Sequence, residues 1–280
     1  MTEPTTGTPR RSARRWLLTQ NSQLRAEGIF NWPLPAFAGR LDDGRTYNTC
    51  PEAGACASLC YARVGSYRFR NVLAAHQRNL KMILDDLPGW AQQMITELQH
   101  KRYQGKWVRL HDSGDFFSDA YLLAWLDIMR KSPGVRFYCY TKAVARFRCL
   151  VEPAPPDNFL WCYSLGGMED HLLDLEHERH AEVFPSTTEL QAAGYSDQTE
   201  SDLEAVLGPE RVGIPANRIP HLLKRQGTQT FGSLQRALDA KRAAKRQRAR
   251  GGRVLTDPDP GLTRRRGRGH PGGAGLLAAP

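Results

Sequence analysis

The chain has 280 residues and a mass of 31.5 kDa, 40% of it hydrophobic and 24% charged, enough for one large α/β domain or two small ones with a sizeable core. No apolar run reaches the ~18 residues of a membrane span. Arg10-Arg11 and Arg14-Arg15 are followed by Trp16-Leu17-Leu18 and then polar Thr19-Gln20-Asn21, which leaves no export signal, and the sequence reads as cytoplasmic. In that compartment six cysteines are expected to be thiols or metal ligands, not disulfides.

The net charge of +10 is unevenly spread. Eleven Lys/Arg against Asp257 and Asp259 give residues 241–280 a charge of +9, and four Arg against Glu3 give residues 1–16 a charge of +3. Residues 17–240 therefore carry about −2 and are expected to form a single α/β domain between a disordered basic arm (1–16) and a basic low-complexity tail (241–280). Such tails suit non-specific contact with nucleic acid or simple solubilisation.

Residues 17–49 read as an irregular, turn-rich opening segment, followed by a cysteine-rich loop at 50–60. From Ser66 to about Leu84 apolar residues recur at roughly helical spacing, and a second helix is predicted from near Pro88 through Trp90, Met94, Ile95 and Leu98. The period then changes to the alternation of a strand over Lys106–Asp112, which ends in Ser113-Gly114-Asp115. Ser118-Asp119 can cap a helix over Tyr121–Arg130. The unit recurs as strand Val135–Thr141, helix Ala143–Leu150 and strand Phe159–Ser164, then Gly166-Gly167. Short strands at Ala181–Phe184 and Arg211–Ile214 flank helical stretches near 187–193 and 199–207, and a last helix is predicted over Ser233–Arg248. Strands alternating with helices imply a parallel sheet, best matched by a partial (β/α) barrel, with an open doubly wound sheet as the competitor. Polar residues gather just after the strands, at the edge where parallel α/β folds bind ligands.

Cys50, Cys56 and Cys60 stand in C-x5-C-x3-C spacing in a loop containing Pro51 and Gly54. Three thiols that can converge are a donor set for a soft metal. Structural zinc wants a fourth ligand, for which His111, His177 or His180 would have to come through the fold. A [4Fe–4S] cluster can bind three thiolates and leave one iron open. Cys139 and Cys162 fall at packing positions of predicted strands. Asp112 and Asp115 flank Ser113-Gly114, either as a turn or as carboxylates set to bind an amino group. Arg109 and His111 are expected on one side of their strand, and Lys142 is placed to meet a carboxylate or phosphate.

The ordered series Cys50-Pro51…Cys56…Cys60-Tyr61-Ala62, Arg109-Leu110-His111-Asp112-Ser113-Gly114-Asp115-Phe116-Phe117 and Phe137-Tyr138-Cys139-Tyr140-Thr141-Lys142 resembles the mycobacteriophage gene-product-88-like family over roughly residues 18–235. That resemblance implies a phage or mobile-element protein and supplies no activity. A weaker resemblance is to radical S-adenosylmethionine enzymes. It implies Cys50, Cys56 and Cys60 as cluster ligands, and Ser113, Gly114 and Asp115 in the place of a Gly-Gly-Glu motif that meets the amino group of S-adenosylmethionine. The spacing departs from that group's C-x3-C-x2-C, and Tyr61 follows the last cysteine where an aromatic residue usually precedes it. Two expectations result. One is an iron–sulfur protein of radical type, with His111, Ser113, Gly114, Asp115 and Lys142 around the cofactor. The other is a nucleic-acid-associated protein with cysteine-bound zinc.

Overall fold

The computed structural model describes residues 16–251. A short helix, Ser22–Ala26, is capped by Asn21, whose side-chain oxygen accepts from Leu24 N. The described residues then form the strands β1 (Phe30–Trp32), β2 (Ala38–Arg40), β3 (Thr46–Asn48), β4 (Trp107–Leu110), β5 (Arg136–Thr141), β6 (Phe159–Ser164), β7 (His180–Phe184), β8 (Ser196–Asp197) and β9 (Arg211–Pro215). β2 and β3 are an antiparallel hairpin, and the other seven make one sheet in the order β1-β4-β5-β6-β7-β9-β8, parallel throughout. The expected parallel α/β sheet is thus present. Its first five strands follow chain order, and β8 and β9 exchange places at the far edge.

Helices Arg70–Asp85, Leu87–Leu98, Asp119–Arg130 and Val144–Leu150 lie between these strands near the predicted positions. Pro88 stands in the first turn of its helix, where its missing N–H costs nothing, and Ser118 caps the third by accepting from Tyr121 N. Alternation sorts the strand residues onto two faces. Val108, Leu110, Phe137, Cys139 and Phe159 pack into one core with Trp90, Trp125 and Phe147 of the helices. Tyr138, Cys162, Ala181 and Val212 pack on the other face with Leu24, Ala205 and Val206. Burying each large side chain contributes on the order of 2–3 kcal/mol, so both faces are anchored. Cys139 and Cys162 are fully buried packing residues, as expected.

The opening segment is more ordered than its sequence implied, because β1 is an edge strand of the main sheet. All three of its residues are buried, so no alternation marks it. Thr19 covers its free side, with Thr19 N donating to Asn31 O at 3.0 Å and Asn31 N to Thr19 O at 2.8 Å. The stretch 199–207 contains a helix only over Glu204–Leu207.

The chain divides into two compact units after Ala240. The described part of the second unit is the end of the helix Phe231–Gly251, where Lys241, Arg242, Lys245, Arg246 and Arg248 are all exposed. Most of the expected basic arm, and the tail from residue 252 on, lie outside the described residues. No helix among the described residues is long and apolar enough to cross a membrane.

Candidate functional site

A cavity of about 360 Å³ opens at the carboxyl ends of β4, β5 and β6. Cys50, Cys56, Cys60, His111, Ser113, Gly114, Asp115 and Lys142 all line it, so the fold gathers every predicted site residue in one place. A wider groove of about 710 Å³ lies beside the helix Arg70–Asp85 and shares Asn21, Tyr67 and Asp112 with the cavity.

The cysteine loop is fastened to the sheet through its backbone. Asp115 N donates to Thr49 O at 2.8 Å, tying the loop to the end of β4. Gly54 N and Cys56 N both donate to Gly166 O, at 3.2 and 3.1 Å, and Met168 N donates to Glu52 O at 2.8 Å, tying it to the end of β6. Ala55 N donates to the buried Gln235 Oε1 at 2.7 Å. A Cβ at position 54 would lie 1.9 Å from that oxygen, so any larger residue there would displace the Gln235 side chain.

Burial pushes the Cys50 thiol up to about 12 and the Cys60 thiol up to about 11, and the negative form of Cys56 adds repulsion to both. Cys50 and Cys60 therefore favour the protonated thiol over the thiolate. Among the described residues, no group of three His, Cys, Asp or Glu is arranged to hold a metal ion. One zinc would draw sulfurs to roughly 4 Å of each other, given Zn–S bonds of about 2.3 Å, whereas a cluster distributes its thiolates over several irons. By residue type alone, three thiols are the donors a soft metal takes. His177 pairs with Asp174, and His180 bonds Tyr195 and the Glu178 carbonyl, so neither is directed to the loop.

The strand-end motif is held just as firmly. Ser113 Oγ donates to Leu34 O. Gly114 has φ +87°, and a Cβ there would lie 2.7 Å from Leu34 Cβ. The Asp115 carboxylate accepts from Thr141 Oγ1 at 2.8 Å, Phe116 N at 2.8 Å and Lys142 N at 2.9 Å. Burial pushes its carboxyl up, and these bonds oppose that shift. The carboxylate expected to meet a ligand amino group is thus already engaged in joining β4 to β5. Lys142 Nζ donates to Ser164 Oγ at 2.7 Å and to the carbonyls of Ser164 and Leu165 at 2.9 and 3.0 Å.

Alternation predicts Arg109 and His111 on one side, but the two part company. His111 has φ +62°, which turns its ring against Phe116 and Tyr121 in the helix-side core, with Nε2 2.8 Å from Tyr121 Oη. Burial lowers its pKa to about 3, so the imidazole is neutral. Arg109 lies on the opposite face, where Nη1 meets both oxygens of Asp202 at 2.9 and 3.0 Å. Tyr138 Oη also donates to Asp202, and Gln198 Nε2 donates to it at 2.6 Å. Sequence reasoning did not single out Asp202. It lies 93 positions from Arg109, and the unpaired arginine in a strand was its only signal.

This is a parallel α/β protein with a cysteine-lined cavity at the carboxyl edge of its sheet. The profile of the Gene product 88 family matches residues 11–250, and the chain belongs to that family. It is similar to the Gene 88 protein of Mycobacterium phage L5, 32% identical over 110 residues that cover 36% of this chain and 46% of the phage protein. The Gene 88 protein of Mycobacterium phage D29 is 30% identical over 110 residues, 36% of this chain and 45% of that protein. The chain thus matches about half the length of these relatives. No solved structure matches the chain.

Proposed function

We propose that this protein is an iron–sulfur protein in which Cys50, Cys56 and Cys60 hold a [4Fe–4S] cluster, with a small molecule bound over the open iron. S-adenosylmethionine is the first candidate for that molecule. The observation that carries the reading is that the three cysteines and the ends of β4, β5 and β6 line one cavity. Ligand sites of parallel α/β folds lie at this edge. When bound, such a cluster supplies an electron to a ligand at its exposed iron. The chain's own residues hold the loop through its main chain and line the cavity with polar groups. Asp115 and Lys142 act here as positioning residues, since their polar atoms engage neighbouring protein groups. Zinc would need His111 as its fourth ligand, since His177 and His180 have other partners while His111 lines the cavity and its Nδ1 is unpaired.

A second role in non-specific nucleic-acid binding is supported by the exposed Lys241, Arg242, Lys245, Arg246 and Arg248 on one helix.

The test is anaerobic purification and reconstitution, with iron, sulfide and zinc measured together with the absorption and electron paramagnetic resonance spectra. About four irons and four sulfides per chain, and a spectrum altered by S-adenosylmethionine, are expected. Stoichiometric zinc without iron would overturn the cluster.

A further inference from the structure

Buried polar atoms in folded proteins are almost always paired, because leaving one unpaired forfeits its bond to water. Among the described residues, the unpaired buried side-chain atoms include Arg109 Nε, His111 Nδ1, Asp112 Oδ1 and Tyr140 Oη; all four residues line the carboxyl-edge cavity, but the His111 ring packs in the helix-side core. Three of them are neighbours. The Arg109 guanidinium lies over the Tyr140 ring, 5.1 Å from its centroid, and Arg109 and Asp112 attract each other electrostatically. Tyr61 Oη donates to the Asp112 carbonyl at 2.5 Å and adds a second aromatic ring to the lining.

What this wall lacks can be specified. The charge of Arg109 is already matched by Asp202, so no anion is demanded. Arg109 Nε–H needs an acceptor, Asp112 Oδ1 needs a donor, and Tyr140 Oη needs either. A flat, neutral molecule with a carbonyl beside a ring N–H supplies both, and the tyrosine rings offer faces for it. The volume of about 360 Å³ lies in the lower part of the range for small-molecule pockets. We infer that this wall is a recognition subsite for an oxo-nucleobase of the guanine or uracil kind. Its carbonyl accepts from Arg109 Nε and Tyr140 Oη, and its ring N–H donates to Asp112 Oδ1. The inference rests on the cavity being a ligand site, as in the proposed function, and not on which metal the cysteines hold.

The test measures calorimetric binding of guanosine, uridine and adenosine, and of single-stranded tetranucleotides of the same bases, to the full chain and to Tyr140→Phe and Asp112→Leu. An oxo-base should bind at least about tenfold more tightly than adenosine, because adenine offers no carbonyl. Tyr140→Phe removes only an unpaired hydroxyl, so it should weaken binding about three- to tenfold while leaving the melting temperature unchanged or higher. Binding of nucleosides and tetranucleotides alike indicates a free nucleoside, and binding of tetranucleotides alone indicates a base within a strand. Equal affinity for adenosine and both oxo-bases, or no binding by any probe, overturns the inference. So does a Tyr140→Phe protein that melts lower and binds unchanged. Repeating the titration on Cys50→Ser separates the two proposals. Retained nucleoside binding without metal leaves the subsite standing whatever the centre is, and a metal-loaded protein that binds no probe sinks the subsite alone.

Discussion

Asp115 and Lys142 are joined through the backbone and not through their charges. Lys142 N donates to Asp115 Oδ2 at 2.9 Å, while the Lys142 ammonium reaches away to Ser164 and the Leu165 carbonyl. One carboxylate and one ammonium thus link the ends of three adjacent strands, β4 to β5 and β5 to β6.

Asp115→Ala is therefore expected to cost stability. Its carboxylate accepts three bonds in a buried setting, and losing them should destabilise the fold by about 2–4 kcal/mol. Asp115→Asn should cost less, since one oxygen survives while its amide faces the Lys142 N–H. Urea denaturation checks the order wild type, Asn, Ala. An alanine variant as stable as wild type would contradict it.

Changing any of Cys50, Cys56 and Cys60 to serine should abolish iron incorporation in a reconstituted protein, because two thiolates hold a cluster poorly. Cys139→Ala and Cys162→Ala should keep the metal but lower the melting temperature, since both side chains are fully buried. Iron analysis beside thermal melts distinguishes the two groups.

Stability should fall on acidification through a histidine. His111 titrates near 6.5 when unfolded and about 3 when folded. Between those values the unfolded chain binds the extra proton, so the stability this group confers is present above pH 6.5 and is lost as pH falls towards 3. One such proton corresponds to about 1.36 kcal/mol per pH unit. The buried carboxyls of Asp112, Asp115 and Glu182, which are pushed up, act in the opposite sense. The difference between wild type and His111→Gln isolates the histidine, and parallel pH profiles for the two would refute its role.

A chain ending at Ala240 should melt cooperatively and bind duplex DNA more weakly at low salt than the full chain. For every phosphate that the shortened chain no longer neutralises, the salt slope should fall by about 0.9. An unchanged slope would show that the basic segment neutralises no phosphates.

The sequence was most informative where a periodic run was long. The alternation through Val135–Thr141 and Phe159–Ser164 located β5 and β6 to within a residue, and with them the edge that carries the site. β1 was not legible, because three buried residues carry no period. The parting of Arg109 and His111 was not legible either, because it depends on one left-handed backbone angle at a residue other than glycine. The cysteine spacing marked three thiols as a set, and the fold places all three on one cavity. The partners that hold their loop, Gly166 and Gln235, come from about 110 and 180 positions away and are visible only in the fold.

That loop has a consequence for how the protein would mature. Its shape is fixed by loop amides that donate to Gly166 and Gln235 and by the Thr49 carbonyl that accepts from Asp115 N, and none of these bonds involves a sulfur atom. A centre of the proposed kind would therefore not be needed to shape the loop. The polypeptide would finish folding empty and take such a centre up afterwards from a donor, as a socket receives a plug. Damage to the centre by oxygen would then leave an intact receptacle open to refilling, and the chain would not be lost with its cargo.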